Sequence, residues 1–175
     1  MKRVMVFGGS GSGKSTLARK IGQITGLPVV HIDPMYYRPG WEPRPKPETR
    51  ALVLEATAQA AWVFDGNHHS TFPQRLERVD HVIWLDLPTW LRLWRVVART
   101  WRYRGQPRPD MAPGCPERFD FEFIFKWVGG YRWRSRPADA SMMANLPPHC
   151  KGVHLKNRAQ VNDFIQQLTE NSAAV

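Results

Sequence analysis

The pattern with the clearest chemistry is Gly-x-x-x-x-Gly-Lys-Ser, which begins at Gly8 and ends at Ser15. Glycines let a backbone curl until successive N–H groups point at phosphate oxygens, and a helix beginning there adds the positive end of its dipole. The lysine of such a loop reaches the β and γ phosphates, and the serine holds Mg²⁺. The pattern therefore predicts a site for ATP and Mg²⁺ formed by Gly8, Gly9, Ser10, Gly11, Ser12, Gly13, Lys14, Ser15 and Thr16. The alternative interpretation is a glycine-rich turn that only caps a helix.

Two aspartates at the ends of apolar runs are candidates for the chemistry around that loop. Asp65 ends one run, and we expect its carboxylate to hold Mg²⁺ indirectly, through a group that coordinates the ion. The alternative is that Asp65 and Gly66 merely form a turn. Asp33 ends another run, and it is the natural general base if the acceptor is a hydroxyl. With a phosphate as acceptor, Asp33 would instead orient the substrate or cap a turn. His31 fits a hydrogen-bonded core residue better than a catalyst.

A predicted helix from Thr89 to Tyr103 carries arginines at spacings of three, four and three residues. These arginines share one face of the helix and are Arg92, Arg95, Arg99 and Arg102. They repel one another by on the order of a few tenths of a kcal/mol per pair, a cost that a bound anion would offset. A solvated basic face is the alternative. An apolar set with the same spacing is expected to anchor the helix to the core: Leu91, Trp94, Ala98 and Trp101.

The segment after this helix has the composition of an active-site lid. Residues 105–116 contain four prolines and two glycines, and loops of this length are usually functional. The candidate lid arginines, which would neutralise a transferring phosphoryl group and exclude water, are Arg102, Arg108, Arg118, Arg132 and Arg136. We expect the aromatic stretch 119–133 to pack in the core rather than at a subunit contact. An aromatic and basic surface that binds single-stranded nucleic acid is a further interpretation.

Short apolar runs that alternate with helical segments predict the elements that position these residues. The runs lie at 4–7, 29–32, 62–64, 81–85 and 152–155. This alternation predicts an α/β fold with a parallel five-stranded sheet flanked by helices, with ligands at the carboxyl ends of the strands. A chain of 175 residues with 42% hydrophobic side chains suits a single domain, 1–175. Within it we expect an acceptor-side insertion at about 34–60 and a basic lid region at about 102–136.

Composition limits the partners that we expect. The net charge of +10 indicates anionic partners, whether nucleotide, phosphorylated metabolite or nucleic acid. No run approaches the roughly 18 apolar residues of a membrane span, and the first residues lead into a strand rather than a signal sequence. We therefore expect a soluble cytoplasmic protein with no membrane partner. Cys115 and Cys150 lack Cys-x-x-Cys spacing, so neither a disulfide framework nor a zinc site is predicted.

These motifs resemble those of adenylate-kinase-like P-loop NTPases, and the whole chain is similar to the small bacterial family of DNA topology modulation proteins. The resemblance is carried by the loop at 9–16, by Asp65-Gly66, by the strand and proline at 81–88, and by the helix that follows. It implies a three-layer P-loop kinase fold in which Arg95 covers the adenine and Arg99 reaches a phosphate. It also implies that the loop containing Arg158 lies beside the adenine.

The chain departs from adenylate kinases on the acceptor side. They continue the Asp-Gly motif as Phe-Pro-Arg, whose arginine serves the acceptor nucleotide, whereas this chain reads Asn67-His68-His69. Arg75 is the candidate substitute, and the alternative is that Arg75 pairs with Glu77 or Asp80 on a surface turn.

The acceptor pocket itself is expected in the proline-rich segment. Five prolines between Pro34 and Pro47 predict irregular structure where nucleotide kinases have a helical acceptor domain. We expect the acceptor to lie between Asp33, the loop that begins at Tyr36, and Asn67.

The function that these features predict is a Mg²⁺- and ATP-dependent phosphotransferase acting on a nucleotide or a small metabolite, with Lys14, Asp33 and Arg99 as its catalytic residues. The alternative is a nucleic-acid-associated ATPase or regulator of DNA topology, whose binding would weaken steeply with salt. Arginines that converge on one cleft would favour the first function, and arginines spread over an outer face would favour the second. The sequence leaves the acceptor and the oligomeric state open.

Overall fold

A computed structural model describes residues 1–173 and has a five-stranded parallel sheet at its centre. The strands are β1 (Arg3–Gly8), β2 (Val29–His31), β3 (Tyr37–Arg38), β4 (Glu42–Pro43), β5 (Trp62–Asp65), β6 (His81–Leu85) and β7 (Lys151–Leu155). The order in the large sheet is β2-β5-β1-β6-β7, and β3 and β4 form a separate antiparallel pair. The five apolar runs of the sequence are the five strands of the large sheet.

Helices connect these strands. They are α1 (Lys14–Thr25), α2 (Asp33–Tyr36), α3 (Lys46–Ala58), α4 (Phe72–Leu76), α5 (Thr89–Arg102), α6 (Tyr131–Arg134), α7 (Arg136–Ala144) and α8 (Arg158–Ala173). A 3₁₀ turn spans His69–Thr71, and a π-helical segment spans Phe123–Gly129. Among residues 1–173, no helix is both long enough and apolar enough to cross a bilayer.

The sheet is buried on both faces, which makes the fold three-layered. Side chains alternate between the two faces along a strand. In β1, Val4 and Val6 pack with Leu17 and Ile21 of α1, and the residues between them pack against the helices of the other face. The α/β fold class predicted from the sequence is confirmed.

The strand order creates the crevice in which a ligand would bind. β1 is central, and the chain leaves it toward β5 and β2 on one side and toward β6 and β7 on the other. Ligands of open α/β sheets bind at the carboxyl ends of the strands where the order reverses in this way. The glycine loop that follows Gly8 lies at that point.

The acceptor-side segment contains more regular structure than the prolines predicted. Pro34 lies in the first turn of α2, where a missing N–H costs nothing. The short hairpin of β3 and β4 follows, and α3 then runs for 13 residues. The lid segment is irregular between Tyr103 and Phe121, where isolated pairings join Arg104 to Glu117 and Pro107 to Pro116.

Helix α5 has the opposite orientation to the one predicted. The expected anchors Trp94 and Trp101 are 65% and 75% exposed, whereas Arg92, Val96 and Thr100 face the core. The spacing therefore missed the buried face, because Val96 and Thr100 belong to neither of the two predicted sets.

Burial of Arg92 explains this orientation. Its guanidinium, 1% exposed, donates to the carbonyl oxygens of Leu87, Ser10 and Val128 at 3.1–3.3 Å. It also lies 4.7 Å from the ring centroid of Tyr131. Together, these hydrogen bonds offset the free-energy cost of burying the guanidinium charge.

The aromatic stretch after the lid is also more exposed than expected. Ile124, Val128 and Tyr131 are buried. Phe123 is partly buried. The remaining large aromatic residues of the stretch are between 49% and 76% exposed: Phe119, Phe121, Phe125, Trp127 and Trp133. The prediction that this stretch packs in the core is therefore wrong for most of its rings.

Candidate active site

The glycine loop has the backbone conformation that the sequence pattern predicts. Gly11 and Gly13 have φ of 80° and 96°, a region that favours glycine. A Cβ on Gly11 would lie 2.4 Å from the carbonyl oxygen of Arg92, so the loop also requires glycine for close packing against α5. Helix α1 begins at Lys14, which directs its amino-terminal N–H groups and dipole toward the loop.

Lys14 is held within this loop. Its Nζ donates to the carbonyl oxygen of Gly9 at 3.2 Å. Burial lowers the pKa of Lys14, while the negative charges of Asp65 and Asp33 oppose that shift. The ammonium is therefore held at the glycine loop, where its charge interacts with both aspartates.

Asp65 is a buried carboxylate oriented by His31. The two residues are register partners across β2 and β5, and His31 Nδ1 lies 2.7 Å from Asp65 Oδ2. Asp65 Oδ1 and Ser12 Oγ are buried without a hydrogen-bond partner among the described residues. The pair agrees with the interpretation of His31 as a hydrogen-bonded residue. Because the partner is Asp65, His31 also belongs to the candidate site.

These atoms fit Mg²⁺ held mainly by phosphate and water. No group of three or more His, Cys, Asp or Glu residues in the described part of the chain could hold a metal ion by itself. Mg²⁺ bound with a nucleotide normally uses few protein ligands and keeps several waters. Ser15 lines the cleft and would be the direct ligand, and the unpartnered oxygen of Asp65 would accept from a metal-bound water.

Asn67 makes contacts that the sequence did not predict. Its Oδ1 accepts from the backbone N–H of Gly8 and its Nδ2 donates to the carbonyl oxygen of Gly8, both at 3.0 Å. This reciprocal pair links the end of β5 to the start of the glycine loop. Asn67 lines the cleft, but its amide is engaged in positioning the loop.

The arginines expected to bind the nucleotide reach the cleft. Arg95 donates to the carbonyl oxygen of Ser12 at 3.0 Å. Arg99 and Arg158 line the same cleft. The pKa of Arg95 is lowered first by burial and then by the positive charge of Arg158. Their assignment to adenine and phosphate remains a prediction.

Two lid carboxylates, Asp110 and Glu117, complete the site and were missed in the sequence. Glu117 forms ion pairs with Arg99, at 3.4 Å, and with Arg108. Asp110 pairs with Arg108 at 3.5 Å and with Arg19 of α1 at 3.8 Å. Their only signal in the sequence is that acidic residues alternate with the lid arginines.

The lid also reaches the candidate base. Arg108 lies 3.5 Å from Asp33. Burial in the cleft raises the pKa of Asp33, and Arg108 opposes that rise. Burial likewise opposes ionisation of Asp110, but Arg108 and the Ser15 hydroxyl lower its pKa overall. One lid arginine thus contacts carboxylates from both sides of the cleft.

On the acceptor side, Tyr37 rather than Tyr36 lines the cleft together with Trp41. Both pack against a small cluster of Met111, Ala112 and Cys115 in the lid. The indole of Trp41 donates to the carbonyl oxygen of Pro116 at 2.8 Å. The acceptor-side segment and the lid are therefore joined by direct contacts.

Arg75 does not reach the acceptor side. It is fully buried, with its guanidinium 4.6 Å from the ring centroids of both Phe64 and Phe72. Burial lowers its pKa to about 9, and it donates to the carbonyl oxygen of His68 at 3.4 Å. The expectation that Arg75 serves the acceptor is wrong, because the side chain points into the core.

The five candidate lid arginines divide between two places. Arg102, Arg108 and Arg118 line the large cleft. Arg132 and Arg136 instead line a separate pocket of about 290 Å³, in which Arg136 donates to both carboxylate oxygens of Asp86 at 2.9–3.1 Å. Arg132 and Arg136 are therefore not brought to the glycine loop.

The cleft encloses about 1580 Å³. A site for one small ligand usually measures roughly 300–1,000 Å³, so the cleft has room for two. Residues 10–16 of the loop line it, whereas Gly8 and Gly9 do not. Asp33 and Asp65 also line the cleft.

Comparisons with known proteins support the fold. No protein-family model and no curated protein sequence matches the chain, so the similarity to DNA topology modulation proteins gains no support. The chain resembles the shikimate kinase from Acinetobacter baumannii in complex with shikimate, with a TM-score of 0.59 and 16% identity over 99% of this chain and 94% of that one. For a shikimate kinase from Bacteroides thetaiotaomicron, the TM-score is 0.57 and the sequence identity is 16%, with 97% of each chain covered. For a gluconokinase from Sinorhizobium meliloti 1021, the TM-score is 0.53 and the sequence identity is 15%, with 99% of this chain and 92% of that one covered. These likenesses confirm a P-loop kinase fold.

Proposed function

We propose that the chain transfers the terminal phosphoryl group of ATP to a hydroxyl of a small metabolite. The observation that carries this proposal is the position of Asp33, which lies in the same cleft as the glycine loop and faces the lid through Arg108. A carboxylate at this place is suited to accept the proton of an attacking hydroxyl. The solved structures of the same fold include kinases named for shikimate and gluconate, which are small hydroxylated acids.

In the proposed reaction, the acceptor oxygen forms a bond to the γ phosphorus and the bond between that phosphorus and the β–γ bridging oxygen breaks. ADP leaves with the electron pair, and the proton of the hydroxyl passes to Asp33. Lys14 and Arg99 neutralise the charge of the phosphoryl group. Mg²⁺ bound beside Ser15 would supply further charge neutralisation. Burial of the site strengthens each of these interactions.

The arginine distribution supports a kinase over a nucleic-acid-associated ATPase. The arginines that line the cleft are Arg19, Arg95, Arg99, Arg102, Arg108, Arg118 and Arg158. A regulator that binds nucleic acid through phosphate contacts would instead need most of its arginines on an open face. The convergence on one cleft is the outcome expected for phosphoryl transfer.

A screen of acceptors that measures ADP release tests this proposal. We expect a hydroxy acid or related polyol to raise turnover above the rate of ATP hydrolysis in water. Asp33→Asn should lower kcat by about 10²- to 10⁴-fold with little change in the KM for ATP, because only proton transfer is lost.

Lys14→Ala provides the complementary measurement, since it should weaken ATP binding itself. Unchanged ATP affinity in Lys14→Ala would remove the nucleotide half of the proposal. Full acceptor-dependent turnover in Asp33→Asn would remove the role of Asp33 as the base.

A further inference from the structure

The exposed side of α5 carries an apolar face that lies mostly outside the cleft of the proposed kinase activity, and Trp94 is the member of this face that also lines the cleft. We call this face the tryptophan ridge, and it consists of Trp90, Trp94, Val97 and Trp101. Their spacings of four, three and four residues place them on one side of the helix. They are 70%, 65%, 40% and 75% exposed, respectively. The ridge lies opposite the buried face that holds Arg92 and Val96.

A second group of exposed rings lies on the neighbouring segment. The π-helical segment packs against α5 through Ile124, Val128 and Val96. Phe121, just before this segment, and Phe125 within it are 67% and 66% exposed, and their rings stack with centroids 6.4 Å apart. Isolated exposed apolar residues are normal on a protein surface, but a concentration of this kind marks an interaction site. None of residues 1–173 covers the ridge.

The charge around the ridge is positive. Arg104, just after Trp101, and Arg132 and Arg134 of α6 are exposed. Between residues 89 and 136, Glu122 is the one exposed carboxylate, and it pairs with Lys126 at 2.9 Å. A partner of the ridge must therefore bury indole rings and present negative charge beside them.

We propose that the tryptophan ridge docks the protein on an anionic membrane surface. Tryptophan suits the membrane–water interface because its ring is apolar and its N–H can still reach a polar group. Three tryptophans spread over about 16 Å of helix would lie in the plane of the interface, with arginines reaching anionic headgroups. The helix docks along this face without crossing the bilayer.

The charges distinguish this occupant from a second copy of the chain. An isologous contact would bring the same arginines of two copies together, each copy carrying a net charge of +10. A lipid surface instead supplies the missing negative charge. Docking leaves Arg95 and Arg99 on the cleft side of α5, where they contact the glycine loop and the lid.

Vesicle flotation of the full chain tests the proposal. We expect binding to vesicles of phosphatidylserine and phosphatidylcholine, weak binding to phosphatidylcholine alone, and a decrease with salt. The double variant Trp90→Ser/Trp101→Ser removes one indole at each end of the ridge, outside the cleft lining. It should bind about tenfold more weakly, because the apolar area buried at the interface falls.

The matched control is Trp133→Ser, which removes a tryptophan of equal exposure, 76%, from α6. It should bind vesicles as the unmodified chain does. Far-ultraviolet circular dichroism and ATP binding of each variant report whether the fold is retained. A second measurement needs no variant: brominated lipids should quench the tryptophan fluorescence of the unmodified chain when it is bound.

Several outcomes would overturn the proposal. The proposal is wrong if the chain does not bind vesicles, or if it binds neutral and anionic vesicles equally. It is also wrong if Trp133→Ser reduces vesicle binding as much as the double variant does. Loss of binding to a single-stranded oligonucleotide in the double variant, with vesicle binding unchanged, would assign the ridge to nucleic acid. A dimer in analytical ultracentrifugation that the double variant abolishes would assign it to a second copy. Because none of these readouts involves phosphoryl transfer, the proposal stands or fails separately from the proposed function.

Discussion

The two walls of the cleft are built by different means. The glycine-loop wall is mostly backbone, and its shape follows from glycines at fixed spacing, the start of α1, and one amide pair between Asn67 and Gly8. The lid wall is mostly side chains, in which Arg99 and Arg108 meet Asp110 and Glu117. Apart from Asn67, the first wall is specified by residues adjacent in sequence, whereas the second depends on ion pairs within the lid and between the lid and α5.

Because of this difference, we expect different substitutions to disrupt the two walls. A backbone wall tolerates changes in charge nearby but fails when a side chain occupies the space of a glycine hydrogen. A wall of ion pairs tolerates small changes in shape but fails when one charge is removed from a buried cluster. Three substitutions can separate these behaviours.

The largest effect is expected for Gly11→Ala in the backbone wall. The new Cβ would lie 2.4 Å from the carbonyl oxygen of Arg92 at a residue with φ of 80°. We expect ATP to bind about 100-fold more weakly by isothermal titration calorimetry, because the loop must move from its phosphate-binding shape.

Gly26→Ala is the control, since Gly26 has φ of 72° and nothing within 4 Å of the added atom. It should cost roughly 1–2 kcal/mol of stability through backbone strain alone and leave ATP affinity unchanged. An equal loss of affinity in both variants would show that close packing of the loop against α5 does not matter.

A smaller and local effect is expected for Glu117→Gln in the lid wall. Glu117 is buried, and its loss leaves Arg99 without its carboxylate partner. We expect the lid to open more easily by about 2–3 kcal/mol, because Asp110 still pairs with Arg108. Hydrogen exchange of residues 105–118 should accelerate while the strands of the sheet stay protected.

Glu122→Gln is the matched control, because its pair with Lys126 is exposed and contributes little. Exchange in the lid should be the same as in the unmodified chain. Unaltered exchange in Glu117→Gln as well would mean that the ion pairs do not hold the lid.

The smallest change is expected in the pH dependence of turnover. Burial raises the pKa of Asp33, so kcat/KM should fall on acidification at a pH above the ordinary range of an aspartate, near 4. Arg108 opposes this shift. In Arg108→Met the pKa of Asp33 should therefore rise further, and the acidic limb of the pH–rate profile should move to higher pH.

Arg136→Met, which removes an arginine paired with Asp86 outside the cleft, should leave the acidic limb in place. A limb that moves to lower pH in Arg108→Met, or that is the same in all variants, would contradict the coupling between Arg108 and Asp33.

The elements with strong local patterns were predictable. Alternating burial along β1 and the glycine spacing after it depend on neighbouring residues, so the sheet and the loop followed directly from the sequence. The position of Asp65 at the end of β5 and that of Asp33 just after β2 also followed, because parallel strands bring their carboxyl ends to one edge.

The residues that were misjudged depend on tertiary contacts. Arg75 is a charged residue in the core because two aromatic rings and a carbonyl oxygen accommodate it. The buried face of α5 could not be identified from the spacing, because it depends on carbonyl groups far along the chain that accept from Arg92. Glu117 reaches Arg99 only because the lid folds back over α5.

Arg92 has a consequence for the affinity of the loop at different ionic strengths. Its charge lies beneath the glycine loop, and the hydrogen bonds of its guanidinium go to carbonyl and hydroxyl oxygens. Burial is the main cause that lowers the pKa of Lys14, and the positive charges of Arg99 and then Arg92 add to it, so Arg92 acts on the lysine of the glycine loop. Mobile ions screen a buried charge much less than an exposed one. Part of the attraction for a triphosphate is therefore a permanent field of the folded core, and it should persist in salt that cancels the contribution of the surface arginines.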